Sequence, residues 1–130
     1  MKILLSIKPE YAQKIFQGEK KYEYRKRLFK RDDISSIIVY VTKPVGRVVG
    51  EFEIAEIIED NPMAIWQKTK QYSGISQKEY FKYFEGNEKG FAISIQNITT
   101  YQKPLTLREL NPNIKSPPQS FAYIRGGTIC

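Results

Sequence analysis

The chain opens on a short apolar run, "KILLSI" (Lys2 to Ile7), whose length and branched residues predict a buried strand. Pro9 follows where a first helical residue tolerates the lost N–H. In "EYAQKIFQ", Tyr11, Ala12, Ile15 and Phe16 recur at helical spacing until Gly18, which supplies a left-handed stop. The spacing therefore predicts a short amphipathic helix. "KKYEYRKRLF" then alternates, with Tyr22, Tyr24 and Leu28 on one side and Lys21, Glu23, Arg25 and Arg27 on the other, the pattern of a strand. "ISSIIVYVT" (Ile34 to Thr42) is rich in β-branched residues, and in "RVVGEFEIAEIIE" Val48, Gly50, Phe52 and Ile54 are expected to share a face.

Further along, Asn61 caps a helix that starts on Pro62 and stops before Gly74, and Ser76 with Glu79 forms a capping box for a second helix ending at Gly86. "KGFAISIQNITTYQKPL" returns to strand, Thr106 and Glu109 repeat the capping box on a brief turn, and "SFAYI" is a last strand. The order is β-α-β-β-β-α-α-β-(short α)-β. Helices do not alternate regularly with strands, and several strand-to-strand links are short. A doubly wound sheet is disfavoured, and the expected class is α+β: a small, mostly antiparallel β-barrel with helices packed outside.

Composition narrows the possible chemistry. One domain is expected from 130 residues, spanning 1–130. The formal charge is +7, and residues 1–31 account for all of it, with ten Lys/Arg against three acids. That asymmetry points to a polyanionic partner. There is no histidine, and the one cysteine is Cys130. Intramolecular disulfides, Cys/His zinc sites and Ser/His or Cys/His nucleophiles are thereby excluded. Glu51, Glu53 and Glu56 have the ordinary spacing of a half-exposed strand, so neither metal nor cofactor is expected. No apolar run reaches the ~18 residues of a spanning helix, and the N-terminal run is too short for a signal peptide. A cytoplasmic protein without membrane partners is the expectation, and any protein partner is left unknown.

The densest chemistry lies in "GEKKYEYR", which fits G-x-K-x-x-E-x-R through Gly18, Lys20, Glu23 and Arg25. Placed between a first helix and a second strand, this motif resembles that of the ASCH domain family of the PUA-like superfamily. "SIKPEYAQKIFQGEKKYEYRKR", "KPVGRVVGEFEI", "WQKTKQYSGIS" and "PPQSFAYI" also look like one bacterial branch of stand-alone ASCH proteins. The resemblance implies a PUA-like barrel with a cleft beside the first helix, lined by the motif and suited to RNA or a nucleotide. Some members are amidohydrolases acting on N4-acylated cytidine, and others have reported ribonuclease activity. In the amidohydrolases the motif Lys works with a Thr where this chain has Glu23, and with an acid that aligns roughly with Ser73. Lys20 matches, and the other two do not.

A carboxylate within about 4 to 6 Å stabilises an ammonium, so Glu23 is expected to keep Lys20 protonated and unfit as a base. Recognition suits the set better. Lys20 and Arg25 can face a phosphate while Glu23 fixes the guanidinium or accepts from an exocyclic amine. Tyr40, Trp66 and Phe121 are candidates for stacking a base, and Gln119 and Ser120 for reading its edge. Lys21, Lys26, Arg27, Lys30 and Arg31 form a basic rim that strengthens binding to any polyanion. RNA or nucleotide binding is the favoured function, with a hydrolase of nucleic-acid components as the alternative, in which Lys20 and Glu23 would be catalytic.

Overall fold

The computed structural model describes residues 1–125; Cys130 lies outside the described residues. Strands β1 (Lys2–Ile7), β2 (Tyr22–Arg25), β3 (Ser36–Val41), β4 (Arg47–Asp60), β5 (Gly90–Leu105) and β6 (Phe121–Ile124) form one curled sheet, a half-barrel in the order β2-β5-β4-β3-β1-β6. Helices α1 (Pro9–Phe16), α2 (Pro62–Thr69), α3 (Gln77–Tyr83) and α4 (Leu107–Leu110) complete an α+β fold. Every strand pairing is antiparallel except β1 with β3, which run parallel because α1 and β2 intervene between them. Among the described residues no helix is long and apolar enough to cross a membrane.

The curl encloses a core built from Ile3, Leu5, Ile37, Val39, Phe52 and Ile93, onto which α1 lays Ala12 and Ile15. Burying a side chain of this size contributes about 1.5–3 kcal/mol. At Gly50 a Cβ would run into the Thr99 carbonyl and the Phe16 ring, so glycine is what lets α1 end flat on β4. A second cluster on the other face gathers Leu4, Ile38, Tyr40, Val48, Leu110 and Ile124. A third, between α2, α3 and the β2–β5 edge, is largely aromatic: Tyr80 is fully buried, with ring contacts to Tyr24, Trp66, Phe81 and Phe84.

The helix caps stand where the sequence places them, while α2 stops early, at Thr69, and passes through a 3-10 turn (Lys70–Tyr72) before Gly74. Gly18 and Gly74 have positive φ, Asn61 accepts from the Ala64 N–H, Ser76 accepts from the Glu79 N–H, and Thr106 with Glu109 makes a complete capping box. Two expectations about faces fail. Val48 and Phe52 do not share one: Tyr40 pairs with Val48 and Val39 with Gly50, so a bulge leaves Val49 between them. Beyond the bulge the alternation reverses, and Val49 packs with Phe52 while Val48 turns to the second cluster. The strand predicted to reach Phe29 ends at Arg25, because its partner β5 begins at Gly90, one residue beyond the Arg25–Phe91 pair. Leu28 leaves the tyrosine side and packs, with Phe29, on the first core instead.

Candidate functional site

The turn after α1 delivers the motif. The Gly18 N–H closes on the Ile15 carbonyl, and the Glu19 and Lys20 N–H groups both donate to the Lys14 carbonyl. The chain is thus reversed sharply enough to send the Lys20 side chain inward, and this residue is only 3% exposed. Its Nζ donates to the Ser73 carbonyl at 2.6 Å and lies 4.7 Å from the Tyr24 ring centroid and 5.4 Å from that of Tyr11. The stem rests on Gly74, where a Cβ would come within 2.5 Å of the Lys20 Cβ and Cγ. The ammonium is therefore held by one carbonyl dipole and two aromatic faces, with the lysine stem clamped from behind.

Glu23 and Arg25, two apart on β2, meet as an ion pair. Glu23 Oε2 accepts from Arg25 Nε at 3.0 Å and Nη2 at 2.9 Å. Arg25 Nη2 also donates to the Ser6 carbonyl at 3.1 Å, tying β2 at one end of the sheet to β1. Tyr24 points the opposite way, and its hydroxyl donates to Thr69 Oγ1 at 2.7 Å, since Thr69 uses its own proton on the Ile65 carbonyl. Burial raises the Tyr24 hydroxyl pKa to about 12.

Lys20, Glu23 and Arg25 converge on a cavity of about 460 Å³ between the end of β1, α1, β2 and α3. Its wall also includes Ser6, Lys8, Tyr11, Tyr24 and Lys26, with Glu79, Tyr80, Lys82 and Tyr83 from α3. Lys26 lies over the Tyr83 ring at 4.7 Å. The remaining sequence candidates stand elsewhere. Tyr40 is buried in the second cluster, and Trp66 is packed on Tyr80 at 4.7 Å between centroids. Phe121 packs edge-on against Phe29, and Gln119 and Ser120 are exposed just before β6. Of the basic rim, Lys26 lines the cavity, Lys21 covers Tyr72, Arg31 pairs with Asp33, and Arg27 and Lys30 are exposed. Glu51 is taken up by Lys2, and Glu53 by Asn97.

The α3 contribution was missed in the sequence, although Glu79, Lys82 and Tyr83 have the i, i+3, i+4 spacing of one helix face. The electrostatic expectation for Lys20 is reversed. Its pKa falls from 10.5 to about 8, because burial penalises the ammonium more than the Glu23 carboxylate favours it, with Lys14 adding to the fall. Glu23 spends its closest contacts on Arg25. Lys20 is thus a cation at neutral pH with about a tenth of it neutral, able to hold an anion or accept a proton.

The Gly74 clamp makes a direct prediction. Gly74→Ala places a Cβ into the Lys20 stem at a φ of +64°, which side chains rarely adopt. It is expected to lower the urea midpoint by the equivalent of about 2 kcal/mol and to weaken any ligand that contacts Lys20. An unchanged midpoint would mean that the stem is not held there.

The profile of the ASCH domain matches residues 5–101, which carry the whole motif and most of the sheet. The chain belongs to the ASCH domain family. The ASCH domain-containing ribonuclease of Zymomonas mobilis is 30% identical over 125 residues, covering 94% of this chain and 83% of that protein. The crystal structure of ASCH from Zymomonas mobilis superimposes with a TM-score of 0.88 at 28% identity, over 98% of this chain and 90% of that one. The large ribosomal subunit protein uL22 of Ureaplasma parvum is 32% identical over 123 residues. This ASCH chain, 95% of which is aligned there, spans only 39% of that relative's length, and 15% of the similarly matched ATP synthase subunit alpha. The N-terminal domain of Staphylothermus marinus McrB, at 14% identity and a TM-score of 0.55, shares the fold alone.

Proposed function

We propose that this ASCH domain binds RNA or a modified nucleotide in the cleft beside α1, through Lys20, Glu23 and Arg25. The observation that carries the reading is the meeting of these three motif side chains in one cavity, where a buried ammonium waits on a carbonyl and two tyrosine rings. Lys20, with Lys8, Lys26 and Lys82 around the opening, supplies charge for a phosphate, and the Glu23–Arg25 pair offers an acceptor and donors to a base edge. The ribonuclease name of the Zymomonas relative and the ribosomal name of the Ureaplasma one fit a nucleic-acid ligand. Titration with single-stranded RNA at several salt concentrations tests it. Affinity is expected to fall with a log–log slope of about −0.7 per neutralised phosphate. A flat slope, or no binding at low salt, defeats it.

One observation favours a second reading, hydrolysis. The lowered pKa of Lys20 gives the cleft a base, because burial outweighs the opposing influence of Glu23. Cleavage of RNA uses such a group without a protein nucleophile, whereas the acyl transfer of the amidohydrolases lacks its motif hydroxyl in this chain. Incubating RNA and N4-acylated cytidine with the protein and with Lys20→Ala separates the readings: turnover lost in the variant makes the domain an enzyme.

A further inference from the structure

We infer a second, stacking subsite at Tyr123, which makes the ligand of this domain a strand of RNA longer than one nucleotide. The inference rests on the cleft reading above and deepens it. Tyr123 is 42% exposed on the edge strand β6. Yet its orientation is fixed: its hydroxyl accepts from the Lys30 N–H at 3.2 Å, Phe121 meets it edge-on at 5.6 Å, and the Arg31 guanidinium lies 5.9 Å from its centroid. Arg31 is itself held by two hydrogen bonds to Asp33, so part of its charge is spent and its guanidinium is fixed over the ring. A prealigned, partly exposed ring with a guanidinium over it offers a splayed base an aromatic and a guanidinium plane to stack on.

The chain itself links the two places: the segment from Lys26, on the cavity wall, to Arg31, at the tyrosine, contains the exposed cations Lys26, Arg27, Lys30 and Arg31. β6 gives the distance independently. Tyr123 is paired with Ile3, three residues short of Ser6 on the cavity wall, which is about 10 Å along β1. Ser6 Oγ holds the Pro118 carbonyl at 2.8 Å, which fixes the approach to exposed Gln119 and Ser120 at that same end. A ligand seated on Lys20 therefore meets Tyr123 only if it continues past its first nucleotide.

Binding of cytidine 5′-monophosphate and of a hexacytidylate to the full chain, by calorimetry at fixed salt, tests this. The hexamer is expected to bind more tightly than the monophosphate. Tyr123→Leu should weaken the hexamer about five- to hundred-fold and leave the monophosphate unchanged. Tyr123→Phe, which keeps the ring, should retain most of the hexamer affinity, and this guards against a folding defect in the leucine variant. Monophosphate binding intact with the hexamer no tighter, or with the hexamer indifferent to Tyr123→Leu, overturns the subsite and leaves the cleft reading standing. Loss of the monophosphate along with the hexamer in Tyr123→Leu also overturns the subsite. No binding of either to the unaltered protein overturns both.

Discussion

Replacing Lys20 with Met is expected to make this protein more stable at pH 7 while removing its affinity for RNA. The ammonium is 3% exposed and its pKa drops from 10.5 in the unfolded chain to about 8 in the native one. Between those values the unfolded state carries a proton that the native state has shed, so stability rises with pH across that window. Below pH 8 the whole penalty is present, about 3 kcal/mol for a shift of this size. Met keeps a stem of similar length on Gly74 and between the rings of Tyr11 and Tyr24, and removes the charge. It leaves the Ser73 carbonyl without its donor, which returns about 1 kcal/mol. A net gain of about 2 kcal/mol at pH 7 is expected, shrinking to nothing by pH 10 as the unaltered protein recovers. Tyr24, pushed up to about 12, is present in both proteins, so its contribution cancels from the difference between them. Urea unfolding of both proteins at pH 7, 8, 9 and 10 measures the effect, and parallel pH profiles would show that Lys20 carries no buried charge. RNA titration of Lys20→Met should show at least a tenfold loss. A residue that costs stability and holds its charge over a cavity is where a site is sought.

Local signals made the elements of this fold readable before the structure. Pro9, Gly18, the caps Asn61, Ser76 and Thr106, and the β-branched run through Val41 act over a few residues and are written where they act. The motif was legible as a group for the same reason, since Lys20, Glu23 and Arg25 lie within six positions. What the alternation did not give is the direction of Lys20, which stands two residues before β2 starts and is aimed by the turn at Gly18. Its nearest partner was hidden too, because Ser73 contributes a main-chain carbonyl 53 residues away rather than its side chain. Tyr24 gave only half of its role: it anchors β2 on Tyr80 and also presents its face to the ammonium. The bulge at Val49 left no mark in hydropathy, as both valines suit either face. The ranking of burial above the Glu23 charge required knowing how deep the ammonium lies.

Glu23→Gln is the variant that probes this ranking from the other side. In the native cleft the carboxylate is the influence that raises the Lys20 pKa, against burial and Lys14. Without it the Lys20 midpoint is expected below 8, and more of the amine is neutral at pH 7. Arg25, with 15% of its side chain exposed, loses the charge opposite Nε and Nη2, keeps only a neutral amide acceptor there, and retains the Ser6 carbonyl. Because the guanidinium opens on a cavity that water can enter, the cost is expected to fall below the roughly 3–5 kcal/mol of a fully buried broken pair, at about 2 kcal/mol. The effect on binding separates the two charges. For the unaltered protein, affinity for hexacytidylate should fall as pH rises through about 8, when Lys20 sheds its proton. In Glu23→Gln that fall should come at lower pH, while at pH 6, with Lys20 still charged and Arg25 no longer neutralised by a carboxylate, affinity should match or exceed the original. Binding measured from pH 6 to pH 9 decides it: a falling limb that stays at 8 or moves upward in Glu23→Gln would mean that Lys20 is not the titrating group.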